Sequence, residues 1–346
     1  MIRVAVIGCG EWGKNHIRVL SELKGVEVTA LCDLSADTLD AATKSFPKAL
    51  RARNHRDVLK NEGVDGVIIS TPASTHGPLV LEALRAGKHV LVEKPLCVDV
   101  QEAEEIASQA LKGDRLVMVA HTFLYNPGIQ YLYEAIKKGG LGKIFYLYST
   151  RTNLGPIRTD VNAVWDLAPH DISIINFLLG GLGGSLPVRV RASGGVFLKS
   201  GTVDVGFITL EYGNGTLGHI HVSWLDPNKV RRVTVVGDRK MAYFDDLDTS
   251  HPVRIFDKGV MHQRYRKPYE SFEDFRLIVR SGSCEMPHIP KREPLKMEVQ
   301  EFLARIKGRK VASRIIQREV DLGIRVLRVL DAVSRSLNNG GKPVEL

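Results

Sequence analysis

Short β-branched runs alternate with amphipathic stretches over the first third of the chain. IRVAVIG, VEVTALCD, VDGVIIS, HVLVEKP and LVMVA are nearly continuous in apolar residues, and longer polar-patterned segments separate them. A strand without a polar face is buried on both sides, the condition of a parallel sheet covered by helices. The pattern predicts a doubly wound α/β domain over residues 1–122. After Tyr125 the rhythm changes. KIFYLYST, PVRVRASGGVFL, TVDVGFITLEY, GTLGHIHVSW, RRVTVVGD and KMAYFD alternate apolar with polar, and Val203, Val205, Phe207 and Thr209 share one face. A turn at Tyr212-Gly-Asn-Gly215 joins consecutive strands, so this part reads as a large, open, mainly antiparallel sheet. The last stretch returns to helical period through Val320, Ile324, Val326, Leu327 and Leu330 until NNGG stops it. Residues 123–346 are therefore expected to form one α+β domain for substrate binding and oligomerisation.

Composition narrows the class. A chain of 346 residues is long enough for two cores, and 44% hydrophobic with 25% charged residues describes an ordinary globular protein. The N-terminus enters a strand at once, without the parts of a signal peptide, and no apolar run reaches the ~20 residues of a membrane span. A cytoplasmic protein without a membrane partner is expected. Cys9, Cys32, Cys97 and Cys284 are scattered outside any metal-ligand spacing, so packing roles and no metal are expected. The balance of 48 basic against 39 acidic residues, net +9, fits a lysine-rich solvated surface or an anionic small molecule. No nucleic-acid signature accompanies it, and no nucleic-acid partner is expected.

Chemistry enters at Gly8-Cys-Gly-Glu-Trp-Gly13, a GxGxxG between the first strand and a helix. Gly8 permits the tight turn, Gly10 lets the backbone approach a pyrophosphate and Gly13 allows close helix packing, while Glu11 and Trp12 ride in the same turn. Asp33 ends the second strand, where an acid takes the adenosine ribose hydroxyls. Its charge repels a 2′-phosphate and the following Leu34-Ser35 offers no arginine, so NAD is preferred to NADP. Ser35 competes with Asp33 as a helix cap. In Ser70-Thr71-Pro72-Ala-Ser-Thr-His76, Thr71 and Pro72 are placed to line the cofactor. His76 either joins them or is a helix-start histidine bonded to backbone. Glu93-Lys94-Pro95 ends a buried strand on the side where this fold gathers catalytic residues, and a lysine there is poorly explained by solvation.

GCGEWG at 8–13, TPASTH at 71–76, GKHVLVEKPL at 87–96, WDLAPHD at 165–171 and the GGKPVEL tail together resemble the glucose-fructose oxidoreductase / inositol dehydrogenase (Gfo/Idh/MocA) family over nearly the whole chain. The resemblance implies an NAD-dependent sugar dehydrogenase with Lys94, Asp166 and His170 as catalytic residues. Pro169 suits the first turn of a helix HDISIINFLLG, which would set His170 at a positive dipole end and keep it a neutral base. Asp166 would then lie just outside the helix, orienting the ring or bonding a sugar hydroxyl.

The polar loop 151–165 carries Arg151, Asn153, Arg158 and Asn162 as candidate substrate contacts beside Lys94 and His170. Its wording resembles members that oxidise nucleotide-linked amino sugars at C3. Arginines suit a diphosphate, so UDP-N-acetylglucosamine or its uronate is the expected substrate. In HTFLYNP, Tyr125 and Asn126 are further candidates, although many relatives carry a basic residue where Tyr125 stands. An inositol, polyol or free-sugar dehydrogenase is the close alternative, and a non-catalytic dinucleotide-binding regulator the alternative of another class. Pairing into a homodimer or homotetramer is expected through the sheet formed by strands 202–211 and 215–224.

Overall fold

The N-terminal apolar runs fold into one parallel sheet of β1 (Ile2–Ile7), β2 (Val26–Cys32), β3 (Leu50–Ala52), β4 (Gly66–Ile69), β5 (His89–Val92) and β6 (Val117–Val119) in the computed structural model. Their spatial order is β3-β2-β1-β4-β5-β6. The connections carry α1 (Glu11–Glu22), α2 (Ala36–Thr43), α3 (His55–Leu59), α4 (His76–Arg85) and α5 (Val100–Lys112). Val4, Val6, Ile68, Leu91 and Val92 are completely buried, as strands covered on both faces require. Strand order reverses between β1 and β4, so the loops after these two strands flank the point where open α/β sheets bind ligands.

The second sheet uses α6 (Pro127–Lys137), β7 (Ile144–Thr152), α7 (Ala163–Gly180), β8 (Arg189–Gly195), β9 (Val205–Glu211), β10 (Leu217–Ser223), β11 (Val230–Gly237), β12 (Met241–Asp245), β13 (Val253–Val260) and β14 (Val279–Glu285). Among the described residues it runs β14-β13-β12-β11-β7-β10-β9-β8, with β15 (Val344–Glu345) at the β8 edge. All neighbours are antiparallel except β7 and β10. The Tyr212–Gly215 turn closes the β9–β10 hairpin, with the Gly215 amide donating to the Tyr212 carbonyl at 2.9 Å. Leu147, Ile208, Leu210, Ile220, Val222, Val233, Val235 and Phe244 alternate onto one face and are buried. On that face α7 lies close to β9, since a Cβ on Gly206 would stand 2.6 Å from Val164. The opposite face keeps large side chains in the open, from 40% exposure at Tyr148 to 48% at Leu217, with Tyr146 and Phe207 between.

The structure describes residues 1–155, 157–158, 160–198, 201–260, 279–308 and 310–346. It divides into a first unit of Met1–Tyr125, Leu182–Gly184 and Arg292–Asp331, and a second of Asn126–Gly181, Ser185–Lys291 and Ala332–Leu346. The expected break after residue 122 falls close to the Tyr125/Asn126 division. Assigning everything beyond it to one domain is corrected. The helix α8 (Pro294–Ile306) and most of α9 (Ser313–Asn338) belong with the parallel sheet. Phe302 and Ile306 of α8 press on Gly66 of β4, and Gly323 of α9 packs against Val119 and Leu96. An amphipathic stripe shows that a helix covers a core but not which core. Among the described residues, no helix is long and apolar enough to cross a membrane. Cys9, Cys32 and Cys97 are buried, whereas Cys284 is exposed, which corrects its packing assignment.

Candidate active site

The turn after β1 has the shape a dinucleotide needs. Gly8 sits at φ +89°, and a Cβ there would lie 2.6 Å from the Ser70 carbonyl. A Cβ on Gly13 would collide with the Gly8 carbonyl, so both glycines are required by the backbone packing. Above Gly10 nothing lies within 4 Å of a Cβ position, the open approach that a pyrophosphate uses at the start of α1. Glu11 opens the helix and Trp12 is exposed beside it. Asp33 is fixed by two backbone donors, the Cys9 amide to Oδ2 at 2.7 Å and the Ser35 amide to Oδ1 at 2.9 Å. Ser35 is the side-chain cap of α2, accepting from the Thr38 amide.

Leu34-Ser35 carries no arginine, but the fold brings one to Leu34 from a neighbouring strand. Arg53, after β3, donates from Nη2 to the Leu34 carbonyl at 3.0 Å, because β3 pairs with β2. NAD preference then rests on the Asp33 charge and not on a missing cation. Asp33→Ser is expected to raise NADP affinity relative to NAD about tenfold or more, as losing one like-charge contact implies. Parallel fluorescence titrations with the two cofactors check it, and adding Arg53→Ala should abolish the gain.

Thr71 and Pro72 stand where β4 ends, with the Thr71 hydroxyl paired to that of Thr75 at 2.7 Å. His76 is corrected to the backbone-bonded alternative. It is buried, with Nδ1 2.7 Å from the Pro95 carbonyl and Nε2 2.8 Å from the Thr71 carbonyl. Glu93 is buried and meets Nε2 of His16, on α1, at 2.9 Å. Burial raises the Glu93 carboxyl, but the His16 bond and the charges of His16, Lys94 and His76 hold it below the usual carboxylate value. Lys94 follows at the carboxyl end of β5. Around it lie groups with no sequence signal. Burial pulls His121 down to about 4, and burial together with the Glu93 charge pushes Glu298 well above its ordinary value. The Thr122 hydroxyl donates to Glu298 at 2.9 Å. A carboxyl and an imidazole in these surroundings favour their neutral forms.

In the second unit, α7 starts earlier than its proline suggests. Asn162 caps it, its Oδ1 accepting from the Trp165 amide at 2.9 Å, and Pro169 lies in the helix interior. Asp166 is therefore in the first turn, not outside the helix. His170 lies about two turns in, at 3.6 residues per turn, beyond the reach of the terminal dipole. The helix dipole therefore does not keep His170 neutral. What replaces it is a shared face, because residues four apart on a helix are neighbours and Asp166 and His170 have that spacing. Asp166 is gripped from two sides, by Arg158 Nη1 to Oδ1 at 3.3 Å and by Trp224 Nε1 to Oδ2 at 3.2 Å. Trp224 is a buried residue that the sequence reading missed.

The loop arginines are corrected too. Arg151 is the inward residue of β7 and is 4% exposed at its side chain, paired with Asp171 through Nε at 2.7 Å and Nη2 at 3.3 Å. It fastens α7 to the sheet. Arg158 holds Asp160 through two bonds, at 2.9 and 2.6 Å, besides Asp166. Asn126 caps α6 through the Gly128 amide and reaches Asp246 at 3.3 Å, so its side chain is committed. Tyr125 is largely enclosed, its hydroxyl 3.9 Å from the Met118 sulfur. Asn153 remains in the loop, its backbone amide on the Ser223 carbonyl at 3.1 Å. Lys94 thus belongs to the first unit and Asp166 and His170 to the second. Among the described residues, no group of three His, Cys, Asp or Glu is arranged to hold a metal ion.

Comparison with known proteins gives matches over both units. The family pattern described as "Oxidoreductase family, NAD-binding Rossmann fold" matches residues 2–121, and "GFO/IDH/MocA C-terminal domain" matches 129–243. UDP-N-acetylglucosamine 3-dehydrogenase of Acidithiobacillus ferrooxidans is 30% identical over 262 residues, 75% of this chain and 78% of that protein. scyllo-Inositol 2-dehydrogenase (NAD(+)) of Bacillus subtilis is 25% identical over 353 aligned positions, covering 100% of this chain and 96% of that protein. The solved structure of the Acidithiobacillus enzyme superposes with a TM-score of 0.79 at 25% identity, covering 98% of each chain.

Proposed function

The chain belongs to the Gfo/Idh/MocA family of NAD-dependent oxidoreductases acting on sugar and polyol hydroxyls, and from that premise we propose that it oxidises C3 of a nucleotide-linked amino sugar, UDP-N-acetylglucosamine or its uronate. One observation carries the catalytic reading: Asp166 and His170 share one face of α7, and Asp166 is held there by Arg158 and Trp224. In the proposed step His170 takes the hydroxyl proton, Lys94 stabilises the developing alkoxide, and the carbinol hydrogen leaves with its electron pair as the carbonyl forms. NAD, held by the turn at residues 8–13 and by Asp33, supplies the hydride acceptor. Asp166 acts on the ring or on a neighbouring sugar hydroxyl from its clamped position.

The relative from Acidithiobacillus supports the nucleotide sugar, whereas the arginines do so less than their number suggested. Both are already paired with carboxylates, an observation that favours a neutral polyol as the second reading. Steady-state kinetics separate the two. kcat/KM for UDP-N-acetylglucosamine or its uronate is expected to exceed that for inositol by about a hundredfold or more, the scale of a few charge-assisted contacts. Comparable values would favour the polyol. Because Arg158 grips Asp166, Arg158→Ala should lower kcat as well as raise KM; a pure KM effect would return Arg158 to substrate binding alone.

The open face of the second sheet supports self-association. Tyr146, Tyr148, Phe207 and Leu217 lie on adjacent strands β7, β10 and β9 and are exposed among the described residues. We expect a homodimer or homotetramer in light scattering at micromolar concentration, and Tyr148→Glu to shift it toward monomer; a parent protein that is already monomeric would sink this part.

A further inference from the structure

Among the buried titratable groups with no part in the proposed redox step, His76 has the geometry that most needs explaining. Its two ring nitrogens stand at 2.7 and 2.8 Å from two backbone carbonyl oxygens, those of Pro95 and Thr71. A carbonyl oxygen only accepts. A neutral imidazole carries one N–H and one bare lone pair, so it can satisfy one carbonyl and must oppose the other. At these distances no water fits between them, and the side chain is only 1% exposed, so it has little room to turn away. Both contacts become attractive only when both nitrogens carry protons.

We propose that His76 is an imidazolium that ties the Thr71 end of β4 to the turn bearing Glu93, Lys94 and Pro95, and so acts as the positioning residue for the cofactor-side loop and for the lysine. Burial is the largest influence and, with the Lys94 charge, lowers the ring from its ordinary value, while the two carbonyl bonds and the Glu93 carboxylate hold the proton on. The bond geometry decides between these effects, since removing the proton leaves a lone pair against an oxygen as well as a charge unmade. From α5, Glu102 lies against Gly77, next in the chain to His76, and burial favours its neutral form. Around Glu93, His121 is pulled down to about 4 and Glu298 is raised by burial. Glu93, on the same turn as Pro95 and bonded to His16, is the carboxylate left to balance His76. The clamp joins the end of one central strand to the end of its neighbour, where β4 and β5 run parallel in register.

The test is NMR of the full chain labelled with ¹⁵N in its 11 histidine rings. His76 is identified by through-bond correlation and checked by loss of its signals in His76→Gln. One ring with two exchange-protected N–H protons and imidazolium ¹⁵N shifts from pH 6 to pH 8 is the expected result. A His76 ring with one protonated and one bare nitrogen at pH 7 would overturn the proposal. His76→Gln keeps at most one of the two bonds. It is expected to raise the NAD Kd and lower kcat, by about tenfold in kcat/Kd, the worth of one charge-assisted bond. Parent-like Kd and kcat in that variant would overturn the positioning role, and the ring measurement on the parent protein stands even if the variant fails to fold.

Discussion

Lys94→Met is expected to lower turnover by roughly 10²–10³ or more while leaving the NAD Kd close to the parent value, because alkoxide stabilisation alone is worth that much. Lys94 sits directly after β5, and the hydrogen bonds of the Glu93–His16 pair and of His76 that shape this turn are made by other groups. Methionine keeps most of the aliphatic stem, so packing loss is small. The measurement is single-turnover rate with the sugar that the parent oxidises, beside cofactor titration by fluorescence. Activity above a tenth of the parent would remove Lys94 from the chemistry. A matching loss of NAD affinity would instead make it a cofactor ligand.

Arg151→Met should destabilise the protein by about 3–5 kcal/mol, the usual result of stranding one partner of a buried ion pair. Its partner Asp171 is 1% exposed at the side chain and would lose the guanidinium that holds it. The carboxylate then either stays charged in a dry site or takes up a proton. Removing both charges, with Arg151→Met and Asp171→Leu together, is expected to recover most of the loss, since apolar replacement of a buried pair is often close to neutral. Urea denaturation of the parent, both single variants and the double variant gives the coupling. Unchanged stability with a raised sugar KM would contradict the buried-pair account and restore the substrate role that the sequence suggested.

That contrast shows where a single sequence stops being informative. Arg151 in a polar loop directly before the WDLAPHD segment reads as a substrate contact, and Asp171 as the end of the motif. Only strand register turns Arg151 inward, on the same face as Leu147 and Ser149, where α7 brings Asp171 over it. Arg53 is the same lesson in the first unit. It is remote from Asp33 in sequence, and parallel pairing of β2 with β3 sets it beside Leu34. Pro169 misled for a different reason. The preference of proline for a first turn is a local bias, and the Asn162 cap with the packing of α7 on β9 and β10 outweighs it.

The sequence alone determined what depends on neighbours a few residues away. The near-continuous apolar runs imply strands buried on both faces; the alternation after Tyr125 implies an open antiparallel sheet; Gly8 and Gly13 imply a tight turn in which a side chain does not fit. Each follows from side-chain period or from backbone sterics, and neither needs a distant partner. The tertiary structure decided what depends on partners far along the chain: which core α8 and α9 cover, which arginines are already neutralised, and that His76 bridges two strand ends. Charges and hydrogen bonds are settled by whichever group the fold brings within about 3 Å, and sequence distance does not encode that.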